Sequence, residues 1–377
     1  MKISPGFEKN RPGLLTAIFV LVWLSMQVIF YLQKGIVTNL EATKYLHEAT
    51  LLLQTGKYSS NNFLFYSVQI LLIAFCIKFN ISISFIVILQ ILVNGISIIC
   101  FFRLIKNLTG RKTLAYTITF YFLIFYYYHE FNTYLFTESL FFSFSVIYTC
   151  FLFSVRKISW RNGIAIFLFI GLLYLTRPTG IFFLPATYLF LVIRFFQKRA
   201  LKIIGLSCVF ALPALYILIN YSLGSGGEFD FLLPLNQEMI ICGLQTVSTP
   251  HQISLPVDRN SIEGLLFIVT QYPGLFISLA VKRLGTFFGV SRDFYSTFHN
   301  IVLSVYFYTI YLVILSGLRS LFSKHKAEFC FLITNISLMT LTVMLSCDEW
   351  SNRFIFSQLP FFLLLATISI VNKKQLS

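Results

Sequence analysis

Two carboxylates and two guanidiniums, in four distant segments, each stand beside a long apolar run. Glu41 opens Glu41-Ala-Thr-Lys-Tyr45, a stretch that ends in Thr55-Gly-Lys-Tyr58. Glu138 sits in Thr133-Tyr-Leu-Phe-Thr-Glu-Ser139, and Arg177 in Leu175-Thr-Arg-Pro-Thr-Gly180. Arg353 follows Asp348-Glu-Trp-Ser-Asn352, and Lys282-Arg283 adds a further basic pair. A carboxylate at such a place can take a proton from a hydroxyl as general base. Guanidiniums hold a phosphate bidentately and stabilise the charge that develops on it as it leaves.

The elements that must position these groups are membrane helices. The 377 residues are 57% hydrophobic and only 11% charged, too few charges to cover the exterior of a soluble domain of this size. Strict alternation is absent, which argues against a β-barrel. The fold class is therefore all-α, a polytopic transmembrane bundle of about ten spans. The spans are expected at 12–32, 81–102, 113–129, 139–155, 163–176, 181–196, 203–221, 300–318, 327–346 and 354–372. The basic N-terminus precedes an apolar run too long for a signal peptide, so the first run is read as a permanent span.

Charge sets the orientation. With N- and C-termini inside and residues 63–79 taken as an interfacial or re-entrant helix, most of the 29 Lys and Arg residues fall on the cytoplasmic side, as the positive-inside rule requires. All fourteen acids except Glu8 and Glu328 then lie outside. The same rule explains the net charge of +15 without nucleic acid as a partner. Three parts follow: a transmembrane module, 1–221, with a first outer loop at 33–80; a second outer loop with interfacial helices, 222–299; and C-terminal transmembrane helices, 300–377. In the first outer loop, 39–55 places Ala42, Tyr45, Leu46, Ala49, Leu52 and Leu53 on one helical face. Glu41, Lys44, His47 and Glu48 lie opposite, so this juxtamembrane helix is expected to lie flat with its acids toward water.

A base and phosphate ligands on the outer face of a membrane protein suit one reaction, transfer of a sugar from a polyprenyl-phosphate carrier. The phosphate is a competent leaving group, so no strong general acid is needed, in contrast to the paired carboxylates of a glycosidase. The pattern Glu41, Tyr45, Gly56 resembles the first outer loop of the GT-C glycosyltransferases, in the group of protein O-mannosyltransferases and the lipid A aminoarabinose transferase. Asn352-Arg353, followed by Gln358-Leu-Pro360, is similar to that family's last conserved span. The resemblance implies a GT-C-like fold, with Glu41 as base, Glu138 as the second acid and Arg177 on the lipid phosphate. Tyr45, Arg353, Lys282 and Arg283 complete the expected substrate contacts. It further implies an integral protein of a bacterial cytoplasmic (inner) membrane, with its active face outward. The donor is a polyprenyl-phosphate sugar, the acceptor a glycan, lipid or protein, and the surroundings membrane lipid. The chain departs from the family in having Glu41-Ala42 where an Asp, often in an acidic pair, is usual.

Other readings of the same residues exist. Thr38-x-x-Glu41 is also a capping box, Glu48 can form a solvated pair with Lys44, and Arg353 can pair with Asp348 or Glu349. Seven cysteines show no CxxC pair, so neither zinc nor a disulfide is expected, and no cofactor is indicated; two isolated glutamates give no divalent-metal coordination set. A lipid-linked saccharide flippase would place ionisable residues within spans. A polysaccharide polymerase or ligase would use arginines of the second outer loop, for which Arg259, Lys282, Arg283 and Arg292 are a partial match.

Overall fold

The computed structural model describes residues 11–224, 231–244, 261–317 and 325–376. His251, Asp258 and Arg259 of the second outer loop, and the basic residues Lys2 and Lys9, lie outside the described residues. The chain is helical, as its composition requires, and the extended pairing among the described residues is two isolated parallel bridges, Val37 with Tyr134 and Ile241 with Asp348. It divides into two compact units, Met1–Val155 with Ala165–Pro178, and Arg156–Ile164 with Thr179–Ser377.

Unit 1 contains α1 (Arg11–Lys34), α2 (Glu41–Thr55), α3 (Ser67–Lys78), α4 (Ser84–Thr109), α5 (Lys112–Leu123), the single turn α6 (Tyr126–His129), α7 (Glu138–Ser154) and the greater part of α8 (Trp160–Thr176). Its centre is the packing of α4 on α7, where Phe101, Phe122, Tyr128 and Phe142 are buried ring against ring. The segment between α1 and α3 turns at Gly56, which has φ 70° and donates its N–H to Leu52 O, closing α2. Only glycine takes that left-handed conformation without strain.

Unit 2 contains α9 (Phe183–Phe196), α10 (Ala200–Gly224), α11 (Leu232–Asn236), α12 (Ile262–Gln271), α13 (Pro273–Gly289), α14 (Thr297–Ser316), α15 (Lys326–Leu345) and α16 (Arg353–Leu376). α9 packs on α15 and α14 on α16. Phe183, Phe331 and Phe361 form an edge-to-face cluster among them. Exposed Leu201, Phe298 and Leu312 suit contact with lipid rather than water.

The described spans differ from the expected ten. Among the described residues, seven helices are long and apolar enough to cross a membrane, or eight if α12 and α13, bent by 104° at the break between them, count as one. Residues 63–79, expected to be interfacial, belong to a continuous helical run Asn61–Lys78 that meets the same length and hydropathy requirement. The expected span 113–129 is a helix only through Leu123 and then breaks into the short turn α6. α7 and α8 are apolar but shorter than the rest.

A disulfide joins Cys242 to Cys347, 105 residues apart, which corrects the expectation of seven unpaired thiols. It ties the segment after α11 to the turn between α15 and α16. The backbone reinforces it: Cys242 N donates to Asp348 O at 2.7 Å, and Asp348 N to Ile240 O at 2.8 Å. Cysteines that meet only through tertiary structure leave no spacing signature.

Five cysteines remain as thiols. Denatured protein alkylated before reduction will therefore carry five labels by intact mass, and seven after reduction; seven labels before reduction would contradict the bridge.

Candidate functional site

Glu138 is the first residue of α7, and Arg177 follows directly after the last residue of α8. Pro178 stops α8 there, since proline cannot supply the next helical hydrogen bond. An acid at a helix N-terminus and a cation at a C-terminus each sit favourably in the helix dipoles. The two close into an ion pair, Arg177 Nη1 donating to Glu138 Oε1 at 2.7 Å, with side-chain exposures of 12% and 0%. A buried carboxylate left without a partner would carry a large desolvation cost.

The segment leading into Glu138 is clamped from three sides. Gln90, buried on α4, turns its side-chain NH2 to the carbonyls of Phe131 (3.3 Å), Asn132 (3.2 Å) and Tyr134 (2.8 Å). Asn132 donates to Gln27 of α1 at 2.9 Å and accepts from the Ser139 hydroxyl at 2.6 Å. At the end of α1, Lys34 donates to Glu130 at 2.6 Å and to the Tyr134 hydroxyl at 3.0 Å. Burial raises the Glu130 pKa and Lys34 opposes that rise. His129 is buried with its ring nitrogens on Asn94 Oδ1 (3.2 Å) and the Phe122 carbonyl (3.3 Å).

The same segment holds the stretch between α1 and α2. Val37 N donates to Thr133 O at 3.0 Å and Leu135 N to Val37 O at 3.1 Å. The bridge is parallel, and Glu41 and Glu138 each lie four residues beyond their bridged residue, Val37 and Tyr134. α2 begins at Glu41 with Leu40, not Thr38, at the N-cap position, at φ 55° and with no side-chain cap bond. Thr38 is therefore not the N-cap of α2. Tyr45 is buried with its ring 5.5 Å from that of Tyr66.

Glu48 is not on the water-facing side of α2. It is buried with Ala42, Tyr45 and Ala49 and accepts from the backbone N–H of Ser59 at 3.0 Å and from the Ser59 hydroxyl. Its side chain closes the turn after Gly56 instead of forming a solvated pair with Lys44. The i, i+4 spacing gave a neighbour, but the helix is rotated so that position 48 meets the loop.

The remaining sequence-predicted residues belong to unit 2. Arg353 is buried and pairs with Glu349, one of the partners expected for it. Arg283 is fully buried and donates to four backbone carbonyls: Met239 (2.8 Å), Pro234 (3.1 Å), Met344 (3.0 Å) and Leu345 (3.3 Å). It staples α13 to α11 and the residues just after it and to the C-terminal end of α15, which places it in the interior rather than at a ligand surface. Lys282, its neighbour, is exposed. Arg292 pairs with Asp348 at 2.6 Å, both side chains fully buried. Burial pushes the Asp348 carboxyl up to about 6, against the pull of Arg292.

Sequence reading overlooked Lys34, Glu130, Gln90 and Asn132. Their signal was available: Gln27, Gln90 and Asn94 are amides inside otherwise apolar helices, where a polar side chain must find a partner. Among the described residues no group of three His, Cys, Asp or Glu side chains is placed to hold a metal ion.

Residues 68–219 match the family model described as dolichyl-phosphate-mannose-protein mannosyltransferase, a family of the GT-C superfamily. The matched stretch contains Glu138 and Arg177 but not Glu41, Tyr45, Lys282, Arg283 or Arg353. No curated protein and no solved structure matches the chain.

Two measurements follow from these ion pairs. Removing one partner of a buried pair costs about 3–5 kcal/mol, while removing both charges is far milder. Arg177→Met will therefore lower thermal stability in detergent sharply, and Glu138→Gln/Arg177→Met will recover much of the loss; equal loss in the two variants would contradict a charge-based role. For Asp348, the folded pKa near 6 exceeds the unfolded 3.8. Its contribution to stability is thus complete below the unfolded value and is lost as pH rises through the folded one. The stability of the wild type relative to Asp348→Asn should fall across that window, and a rise would contradict the burial account.

Proposed function

We propose that the protein is an integral membrane glycosyltransferase that moves a sugar from a polyprenyl-phosphate-linked donor to an acceptor hydroxyl on the non-cytoplasmic face. The observation that carries this reading is the buried Glu138–Arg177 pair, which falls inside the stretch matching the mannosyltransferase family model. The segment leading to it also anchors the loop that bears Glu41.

In this mechanism the Glu41 carboxylate accepts the proton of the acceptor hydroxyl. The acceptor oxygen attacks the anomeric carbon as the bond from that carbon to the phosphate oxygen breaks. The bonding pair leaves with the polyprenyl phosphate, and a single displacement of this kind inverts the anomeric configuration. Arg177 binds the phosphate, and its guanidinium stabilises the charge that builds there. Glu138, fully buried, acts by holding Arg177 in position. The lipid tail of the donor accounts for a catalyst built from membrane helices.

The disulfide supports the outward assignment of the turn near residue 347, because such bonds persist in oxidising compartments. The competing polymerase or ligase reading loses support, since Arg283 is committed to carbonyls and Arg292 to Asp348. Arg353, buried beside Glu349, is left out of the donor site.

The test is Glu41→Gln, which keeps size and polarity but removes the basic oxygen. Release of polyprenyl phosphate from polyprenyl-phosphate sugars by the purified protein should fall by about 10²-fold or more, with the five-thiol labelling pattern intact. A folded variant that turns over at the wild-type rate would overturn the base assignment.

A further inference from the structure

We propose that unit 2 carries a saccharide-binding cavity that takes a neutral, polyhydroxylated ligand. The cavity encloses about 750 Å³, within the range of small-molecule sites. It lies between the 240–244 segment, the C-terminal half of α13 and the turn 291–294.

The walls are fixed before any ligand arrives. The disulfide and the Ile241–Asp348 bridge hold the first wall. Arg283 holds α13 by donating to the carbonyls of Pro234, Met239 and Met344. Arg292 holds the turn, with Nη1 on the carbonyls of Thr286 and Ser291 and Nη2 on Asp348 and the carbonyl of Glu349. Asn300 closes the same turn on both backbone groups of Arg292. Preorganisation of this kind reduces the ordering cost of binding.

The lining chemistry selects the ligand class. Lys282 and Asp293 both line the cavity and both are exposed, and neither joins an ion pair among the described residues. A phosphate would meet the Asp293 carboxylate, and an organic cation would meet Lys282. A lipid tail would strip water from both charges at high cost. Sugar hydroxyls satisfy both at once, donating to Asp293 and accepting from Lys282. Thr286 and Ser291 add hydroxyls to the lining. Phe294, 48% exposed, supplies an apolar face, and its ring lies 6.4 Å from that of Trp350, 47% exposed. A pyranose has a matching C–H face. Aromatic side chains also anchor proteins at the membrane–water interface, but that role does not account for the opposed charges beside them.

The site is independent of the carboxylates of unit 1, so its test needs no turnover. Full-length protein in nanodiscs, free of sugar-based detergent, would be titrated with a panel of neutral hexose and N-acetylhexosamine trisaccharides and with inorganic phosphate, followed by saturation-transfer NMR. Binding of at least one trisaccharide is expected, weakened about tenfold or more in Asp293→Ala and in Phe294→Ala, and unchanged in Glu41→Gln. Both cavity variants must keep the five-thiol labelling pattern. The proposal is overturned if no trisaccharide binds, if phosphate alone binds, or if the folded cavity variants bind as the wild type does. Loss of binding in those variants alongside wild-type turnover in Glu41→Gln would sink the catalytic reading and leave the cavity standing.

Discussion

The constraint on which unit 1 depends is the burial of the Glu138 carboxylate. A fully buried charge must be matched, and Arg177 matches it at 2.7 Å. That one contact fixes where α7 begins relative to where α8 ends. It also requires the preceding segment, 130–137, to follow a defined path, and Gln90, Asn132 and Lys34 supply that path through hydrogen bonds to its backbone and side chains. Because the stretch between α1 and α2 pairs with this same segment through Val37, the position of Glu41 is inherited from the arrangement around Glu138. Polar interactions inside apolar helices thus determine geometry at the loop.

Unit 2 uses the same physics with different partners. Arg283 and Arg292 are buried guanidiniums, one spent on carbonyls and the other mainly on Asp348. Arg283 joins α13 to the end of α15, Arg292 joins the following turn to the segment between α15 and α16, and the Cys242–Cys347 bond secures the same region. Guanidiniums suit this task because a planar fork of five donors can satisfy several carbonyls at once. The cost of burying them is met locally, and a rigid loop cluster results.

The sequence carried much of this, unevenly. Composition alone gives the helical membrane class, and helix-end logic finds Glu138 and Arg177 because a charge beside an apolar run is conspicuous. The alternatives for Arg353 already included Glu349, its partner in the structure. Rotation about a helix axis was not legible at Glu48: its spacing to Lys44 is as expected, yet Ser59 of the following turn captures it. The disulfide was hidden because 105 residues separate its cysteines. Basic residues were counted as surface charges, whereas Arg283 is buried; a guanidinium can satisfy backbone carbonyls that no sequence pattern reveals. Charge balance alone argues for an interfacial helix at 63–79, whereas the helical run 61–78 is itself long and apolar enough to span.

The central claim is a single displacement at the anomeric carbon of a lipid-phosphate sugar. The measurement that tests it most directly is the anomeric configuration of the product, read by NMR after incubation of the purified protein with a polyprenyl-phosphate sugar of known configuration and its acceptor. The account predicts release of free polyprenyl phosphate and a product of inverted configuration. A product of retained configuration, or transfer without release of the lipid phosphate, would contradict it.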